Sequence, residues 1–336
     1  MSKTNALIKR LEIAGFAGDF VRTCLPDWWD DQAEESDSSW LQLQLGLAQR
    51  LSIEPLSLFD EDAPLRLSDV GRPKFKHLAL SEAQQRAANG FSNGLARLLL
   101  AATQEGTHEL PPSALDLRDL LLAGTNDSWV GLGQLLSLCA AVGIPVAHLT
   151  AFPAGVKGMA AMTTSIGARG VIFTARKPIH PAQLAFYVAH ELGHIALGHV
   201  RDGRSIVEAL TLDPQETEDS VPPDDEEVAA DRFAFEVLTG QPALHVQGPS
   251  DRGTARELVD KAISTGRALR IDPGLIILCF GRESDRWPLA GAALKMLPDH
   301  DVAVTAQINR ALRTQLDPEM LSSEDRAYID AVAAVA

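Results

Sequence analysis

The sequence predicts a mostly helical α+β fold with one small sheet. Apolar residues recur at helical spacing along most of the 336 residues. Patterns typical of strands occur only in three short stretches between residues 144 and 176. A chain of this length exceeds what one compact core usually organises, so we expect more than one domain.

The composition is that of an ordinary globular protein, with 46% hydrophobic and 22% charged residues. The formal net charge of −15 repels polyanions over the surface as a whole, so contact with nucleic acid would need a local basic patch. The three cysteines, Cys24, Cys139 and Cys279, are far apart. They support neither a disulfide framework nor a four-thiolate zinc site, and a reducing cytoplasm is the expected location.

The sequence has no pattern for export or membrane insertion. Its first residues turn polar and charged too early for the apolar part of a signal peptide. The longest apolar stretches, near residues 95–103 and 274–280, are much shorter than the roughly 18 to 20 residues that span a bilayer. We therefore expect a cytoplasmic protein without a membrane partner.

Residues 1–68 are predicted to form a helical module, with helices over residues 6–25 and 40–51. Pro26 and the acidic, serine-rich run after it interrupt the helical pattern, and Ser39 is the expected N-cap of the second helix. Parts of this module resemble helix-turn-helix units. Its few basic residues and its acidic loop give DNA binding little support, and a protein-interaction module is an equal alternative.

Three further regions follow. Residues 69–112 are predicted to contain a linker and helices, residues 113–246 a central domain, and residues 247–336 a helical cap anchored on the central domain by Trp287. The predicted elements of these regions, in chain order, are a linker at 69–76, helices at 81–104, 114–122 and 131–143, strands at 144–150, 159–165 and 170–176, a helix from Pro181, a loop at 202–223, and helices at 225–238, 253–270, 273–281 and 322–335.

The central domain carries an HExxH motif, from His190 to His194, inside the helix that starts at Pro181. A spacing of four residues brings both histidines to one helix face, so both imidazoles can bind one metal ion. Glu191 lies one residue further round, where it can act as general base toward a water that the metal activates. The motif predicts hydrolysis of a peptide bond. Zinc is the default metal, although manganese, iron and cobalt also accept such ligands.

A tetrahedral ion needs a third protein ligand and an open position for water. Glu227, on the next predicted helix, is the first candidate, and Glu226 is the alternative. Asp231, one turn later, is expected to accept a hydrogen bond from a ligand histidine and fix its tautomer. His199 follows His194 by five residues, which turns it away from the ligands on an unbroken helix. We therefore expect His199 at the helix end or beside a ligand.

The segments HELGHIALGH and EVAADRFAFEVL resemble the ImmA/IrrE family of bacterial zinc metallo-endopeptidases, as does the block from residue 170 into the motif. The resemblance covers residues 115–242. It implies a zincin-like peptidase domain in which His190, His194 and Glu227 bind zinc and Glu191 is the general base. It also implies a cytoplasmic enzyme that cleaves a transcriptional repressor and so induces stress-response, DNA-repair or mobile-element genes. Asp231 stands where many members have asparagine, which leaves its role open.

Peptide hydrolysis also needs a strand that binds the substrate and a donor for the oxyanion. Residues 171–174 are the candidate for an edge strand that pairs with an extended substrate, and an ordinary buried strand is the alternative. His180, just before the metal helix, and Tyr187, three residues before His190, are candidate donors. A core position is the alternative for Tyr187.

Two functions fit the sequence. The first is a zinc endopeptidase that cleaves a cytoplasmic, transcriptional regulator. The second is a metal-stabilised regulatory, toxin–antitoxin or transcription component that does not cleave. The intact Glu191 favours the first, because a scaffold has no use for a general base.

Overall fold

The computed structural model describes residues 2–68, 74–75, 81–124, 128–153, 160–200, 205–208, 224–250, 253–298 and 303–333. These residues form fifteen α-helices and one small mixed sheet, which confirms the predicted helical α+β class. None of the described helices is long and apolar enough to cross a membrane.

The first helices form a bundle: α1 (Lys3–Ile13), α2 (Gly18–Thr23), α3 (Asp31–Glu35), α4 (Asp37–Leu51) and α5 (Pro55–Phe59). The single helix predicted over residues 6–25 is wrong, because the chain turns at Gly15, whose φ is +105°. An added Cβ there would lie 2.4 Å from the carbonyl oxygen of Ala83, so only glycine fits. Ser36, and not Ser39, is the N-cap of α4: its side chain accepts a hydrogen bond from the Ser39 amide.

The next helix, α6 (Glu82–Ala102), begins with a capping box formed by Ser81 and Gln84. Gly90 and Gly94 let it approach α4 closely, since an added Cβ at Gly94 would lie 2.1 Å from the carbonyl oxygen of Arg50. The predicted linker contains a two-residue strand, β1 (Lys74–Phe75). The rest of that linker lies outside the described residues.

The sheet has the strand order β1-β5-β3-β4-β2, with β2 (Val146–His148), β3 (Ala161–Ile166), β4 (Arg169–Thr174) and β5 (Ser205–Glu208). Strand β3 pairs antiparallel with both β4 and β5, whereas β2 pairs parallel with β4 and β1 pairs parallel with β5. The structure therefore confirms the three predicted strands. Strand β5 was predicted as part of a loop, and residues 209–223 of that loop lie outside the described part of the chain.

The remaining helices follow the predicted pattern with two additions. They are α7 (Ala114–Ala123), α8 (Leu132–Ala141), α9 (Pro181–Ala196), α10 (Asp225–Thr239), α11 (Ala255–Leu269), α12 (Pro273–Ser284), α13 (Trp287–Leu294), α14 (Val304–Gln315) and α15 (Ser323–Ala333). Helices α13 and α14 are the additions.

Helices cover both faces of the sheet. Successive strand residues point to opposite sides, so each strand contributes side chains to two cores. Ala161 and Ile172 face a core shared with α9 and with the C-terminal helices α11 to α14. Met162 and Phe173 face a second core, which contains the N-terminal bundle, α6 and α15. Trp287 packs against the first core, where its ring lies over Gly281. The C-terminal helices thus pack against the same core as α9, the helix that carries the HExxH motif.

Helix α14 covers the β2 edge of the sheet. The Asn309 side chain accepts a hydrogen bond from the His148 amide at 2.8 Å and donates one to the His148 carbonyl at 3.0 Å. This pairing satisfies backbone groups that would otherwise stay open at an edge strand. The buried His148 ring contacts Thr174 Oγ1 through Nδ1 at 3.0 Å.

Acid is expected to destabilise the fold through His148. Burial lowers the pKa of this histidine from 6.5 to about 4. Between these values the unfolded chain binds a proton that the folded chain excludes, so the free energy of unfolding falls as the pH falls. From pH 7 to pH 5 the loss is about 2 kcal/mol. In urea unfolding with a chelator present, the pH dependence of the wild type and of His148→Asn should differ by this amount, because Glu191 and the other titrating groups contribute equally to both proteins. Equal pH dependence in both proteins would contradict it.

Candidate metal centre

Helix α9 places the HExxH motif in the interior of the protein. Pro181 occupies its first turn, and His180 caps it by accepting a hydrogen bond from the Ala182 amide. The helix lies between the sheet and α10, and its residues from Ala182 to His194 are all buried. The predicted helical context of the motif is confirmed.

Helix α10 brings a carboxylate to the motif. Asp224 caps this helix by accepting a hydrogen bond from the Glu227 amide, and Gly240 ends it with a φ of +77°. Gly193 allows the two helices to approach closely, since an added Cβ would lie 3.1 Å from Phe233 Cβ and 3.2 Å from Ala230 Cα. The side chain of Glu227 therefore reaches the imidazoles of α9.

Among the described residues, His190, His194 and Glu227 form a buried group that could hold a metal ion. The two Nε2 atoms lie 3.1 Å apart, and the Glu227 carboxylate oxygens lie 3.5 Å from Nε2 of His190 and 3.6 Å from Nε2 of His194. Ligands bound tetrahedrally to zinc at about 2.0 to 2.1 Å are about 3.3 Å from one another. The spacing of the three side chains thus fits a small tetrahedral ion. The alternative ligand, Glu226, is not part of the group.

The other ring nitrogen of each histidine also has a contact. His190 Nδ1 lies 2.9 Å from Asp231 Oδ1, as predicted for Asp231. His194 Nδ1 lies 3.0 Å from Nδ1 of His199. These contacts direct both Nε2 atoms toward the same point and hold the rings in place.

The electrostatics of the group favour a positive charge between the side chains. Burial lowers the pKa of His190, but hydrogen bonds to Asp231 and Glu227 outweigh it and raise this pKa to about 10. Burial raises the pKa of Glu227, but hydrogen bonds with His190 and His194 outweigh it and hold this pKa well below its usual range. The same surroundings favour a divalent cation between the three side chains, so the donor set fits a metal in charge as well as in spacing.

Glu191 lies beside the group without belonging to it. It is 1% exposed, and burial raises the pKa of its carboxyl to about 7. Its Oε2 accepts a hydrogen bond of 2.5 Å from Thr163 Oγ1 on β3. A carboxyl with a pKa near neutrality can both accept and release a proton. Thr163 was not predicted, because it is 28 residues away along the chain and only the sheet brings it to α9.

Three other predicted site features are not at the group. His180 sits at the N-terminal end of α9, about 15 Å along the helix axis from His190, and its ring packs on Gly274. Tyr187 is fully buried in the core, where its hydroxyl accepts a hydrogen bond from the side-chain amide nitrogen (Nε2) of Gln183. The prediction that residues 171–174 form an edge strand for substrate pairing is wrong. They lie in β4, which pairs with β3 on one side and with β2 on the other.

Comparison with known proteins gives no assignment. No protein-family model matches the chain. No curated protein and no solved structure matches it at a significant level of similarity. The case for a function therefore depends on the side chains of this site.

Proposed function

We propose that the chain is a zinc-dependent endopeptidase with a zincin-like catalytic domain, and that it cleaves a cytoplasmic protein, a transcriptional regulator of the repressor type. One observation carries the proposal: three ligand atoms at tetrahedral spacing lie next to a buried carboxylate that is not a ligand. The family resemblance of the motif supports the choice of peptide substrates and of a regulator.

Each side chain has a distinct task in this proposal. His190, His194 and Glu227 hold the metal, which supplies a Lewis acid and lowers the pKa of water when it is bound. Glu191 accepts the proton of the attacking water and returns it to the leaving amine. Thr163 binds Oε2 of Glu191, so Oε1 is the oxygen that receives the proton.

Zinc fits this donor set better than a larger or harder ion. Two imidazoles and one carboxylate are a common set for catalytic zinc, and the three protein ligands leave one position for water or substrate. Magnesium and calcium prefer oxygen ligands in larger number. Manganese, iron and cobalt are the competitors that metal analysis has to distinguish.

The experiment that tests the proposal is cleavage of a peptide library by the zinc-loaded full chain, with new termini identified by mass spectrometry. Cleavage by the wild type, loss with a chelator and loss in Glu191→Gln support an endopeptidase. If the zinc-loaded wild type cleaves no peptide, the non-cleaving, metal-stabilised regulatory component becomes the better function.

A further inference from the structure

The metal helix ends in a motif that returns the chain to a metal ligand. Leu197 is the C-cap of α9, and Gly198 follows with a φ of +70°. The His199 amide donates to the His194 carbonyl at 2.9 Å, and the Gly198 amide donates to the Ile195 carbonyl at 3.1 Å. This pair of hydrogen bonds defines a Schellman motif, in which the second residue after the cap folds back onto the last turn.

The Schellman motif explains why His199 lies where sequence spacing did not place it. On an unbroken helix, residues five apart point about 140° away from each other. The left-handed turn at Gly198 removes this separation, and the rings of His194 and His199 come within 5.1 Å, centroid to centroid. Their Nδ1 atoms are 3.0 Å apart, which is hydrogen-bond distance. A hydrogen bond between them requires one Nδ1 to carry a proton and the other to accept it.

We infer that His199 is a positioning residue for the metal ligand His194, an inference that rests on the proposed metal site. Coordination through Nε2 uses the lone pair of that atom, so a neutral His194 must carry its proton on Nδ1. His194 then donates to Nδ1 of His199, and His199 carries its own proton on Nε2. The contact holds the ring rotation of His194, and it accepts the Nδ1 proton of the tautomer that coordinates through Nε2.

The two histidine ligands are therefore held by different chemistry. Asp231 offers a carboxylate oxygen to His190, whereas His199 offers a neutral imidazole nitrogen to His194. A carboxylate is the stronger acceptor, because hydrogen bonds to charged groups are stronger than those between neutral groups. His190 is thus the more basic ligand of the pair, and His194 the one whose orientation depends on the helix end.

The test compares two substitutions at His199 in the full chain. His199→Leu removes the acceptor at similar volume, while His199→Asn retains an oxygen acceptor close to the position of Nδ1. Zinc affinity is measured by competition with a chromophoric chelator, and His245→Leu is the control, since this histidine is exposed and pairs with Glu283 away from the site. We expect zinc affinity to fall about 10- to 100-fold in His199→Leu and to recover most of that loss in His199→Asn.

A spectroscopic measurement separates positioning from a merely structural role. In the zinc-loaded wild type, nitrogen NMR of the imidazoles should show a protonated Nδ1 on His194 and a protonated Nε2 on His199. Wild-type zinc affinity in His199→Leu, or a proton on Nδ1 of His199, would overturn the inference. A wild type that binds no zinc would contradict the proposed function itself. A wild type that binds zinc, together with His199 variants of the same zinc affinity, would contradict only the inference about His199. Circular dichroism of the metal-free variants shows whether Leu and Asn fold equally well.

Discussion

Replacing Glu191 with glutamine is expected to lower the rate of peptide cleavage about 100- to 10,000-fold while zinc remains bound. Glutamine has nearly the same shape and can still pair with Thr163, but it cannot accept the proton of the attacking water. Because Glu191 is outside the ligand group, its replacement leaves the three metal ligands in place. The rate is measured on whichever library peptide the wild type cleaves, at equal zinc content.

The matched control for this comparison is Glu236→Gln, which changes an acidic residue that pairs with Arg232 on the solvent side of α10. Its rate should equal that of the wild type. A Glu191→Gln protein that cleaves at the wild-type rate with zinc bound would show that the general base lies elsewhere. A variant without zinc would instead show that Glu191 contributes to binding the ion.

Zinc is expected to raise the free energy of unfolding of the wild type. In Glu227→Ala we expect zinc to have almost no effect on it. An ion that binds only the folded chain adds about 3 kcal/mol to the free energy of unfolding at a concentration 100 times its Kd. Of the three residues in the group, Glu227 is the one on α10, so a bound ion would link α9 to α10 through this carboxylate. Without it, two imidazoles on one helix remain.

Urea unfolding with zinc and with a chelator measures this linkage. The difference between the two conditions should be about 3 kcal/mol in the wild type and in Glu236→Gln, and close to zero in Glu227→Ala at the same zinc concentration. An equal difference in wild type and Glu227→Ala would remove Glu227 from the ligand set. Glu226, its neighbour in sequence, would then be the first residue to replace.

The helix that carries the HExxH motif, and the approach of its two histidines to each other, could be predicted because their signal is local. Spacing of four residues on a helix decides that His190 and His194 share a face, and Pro181 marks where the helix begins. Glu227 was selected because the pattern it forms with Ala230 and Asp231 resembles that of zinc peptidases with an HExxH motif. The helix and its shared histidine face depend on periodicity and capping, which one sequence contains in full, whereas the choice of Glu227 came from the resemblance.

The features that the sequence left open or missed depend on contacts between distant segments or on a single backbone turn. Strand β4 is interior because β2 pairs with it, and nothing in residues 170–176 encodes that neighbour. Thr163 reaches Glu191 only through the sheet. His199 was expected at the helix end or beside a ligand candidate, and both descriptions apply: it lies beside His194 because Gly198 adopts a left-handed conformation.

The metal content of the purified protein, measured by plasma mass spectrometry, is the direct test of the proposed zinc site. Wild type and Glu191→Gln should each contain about one zinc ion per chain, because three protein ligands complete such a site. His194→Ala, prepared in the same way, should contain little or none. A well-folded wild type without stoichiometric metal, or a His194→Ala variant that keeps its zinc, would rule the site out.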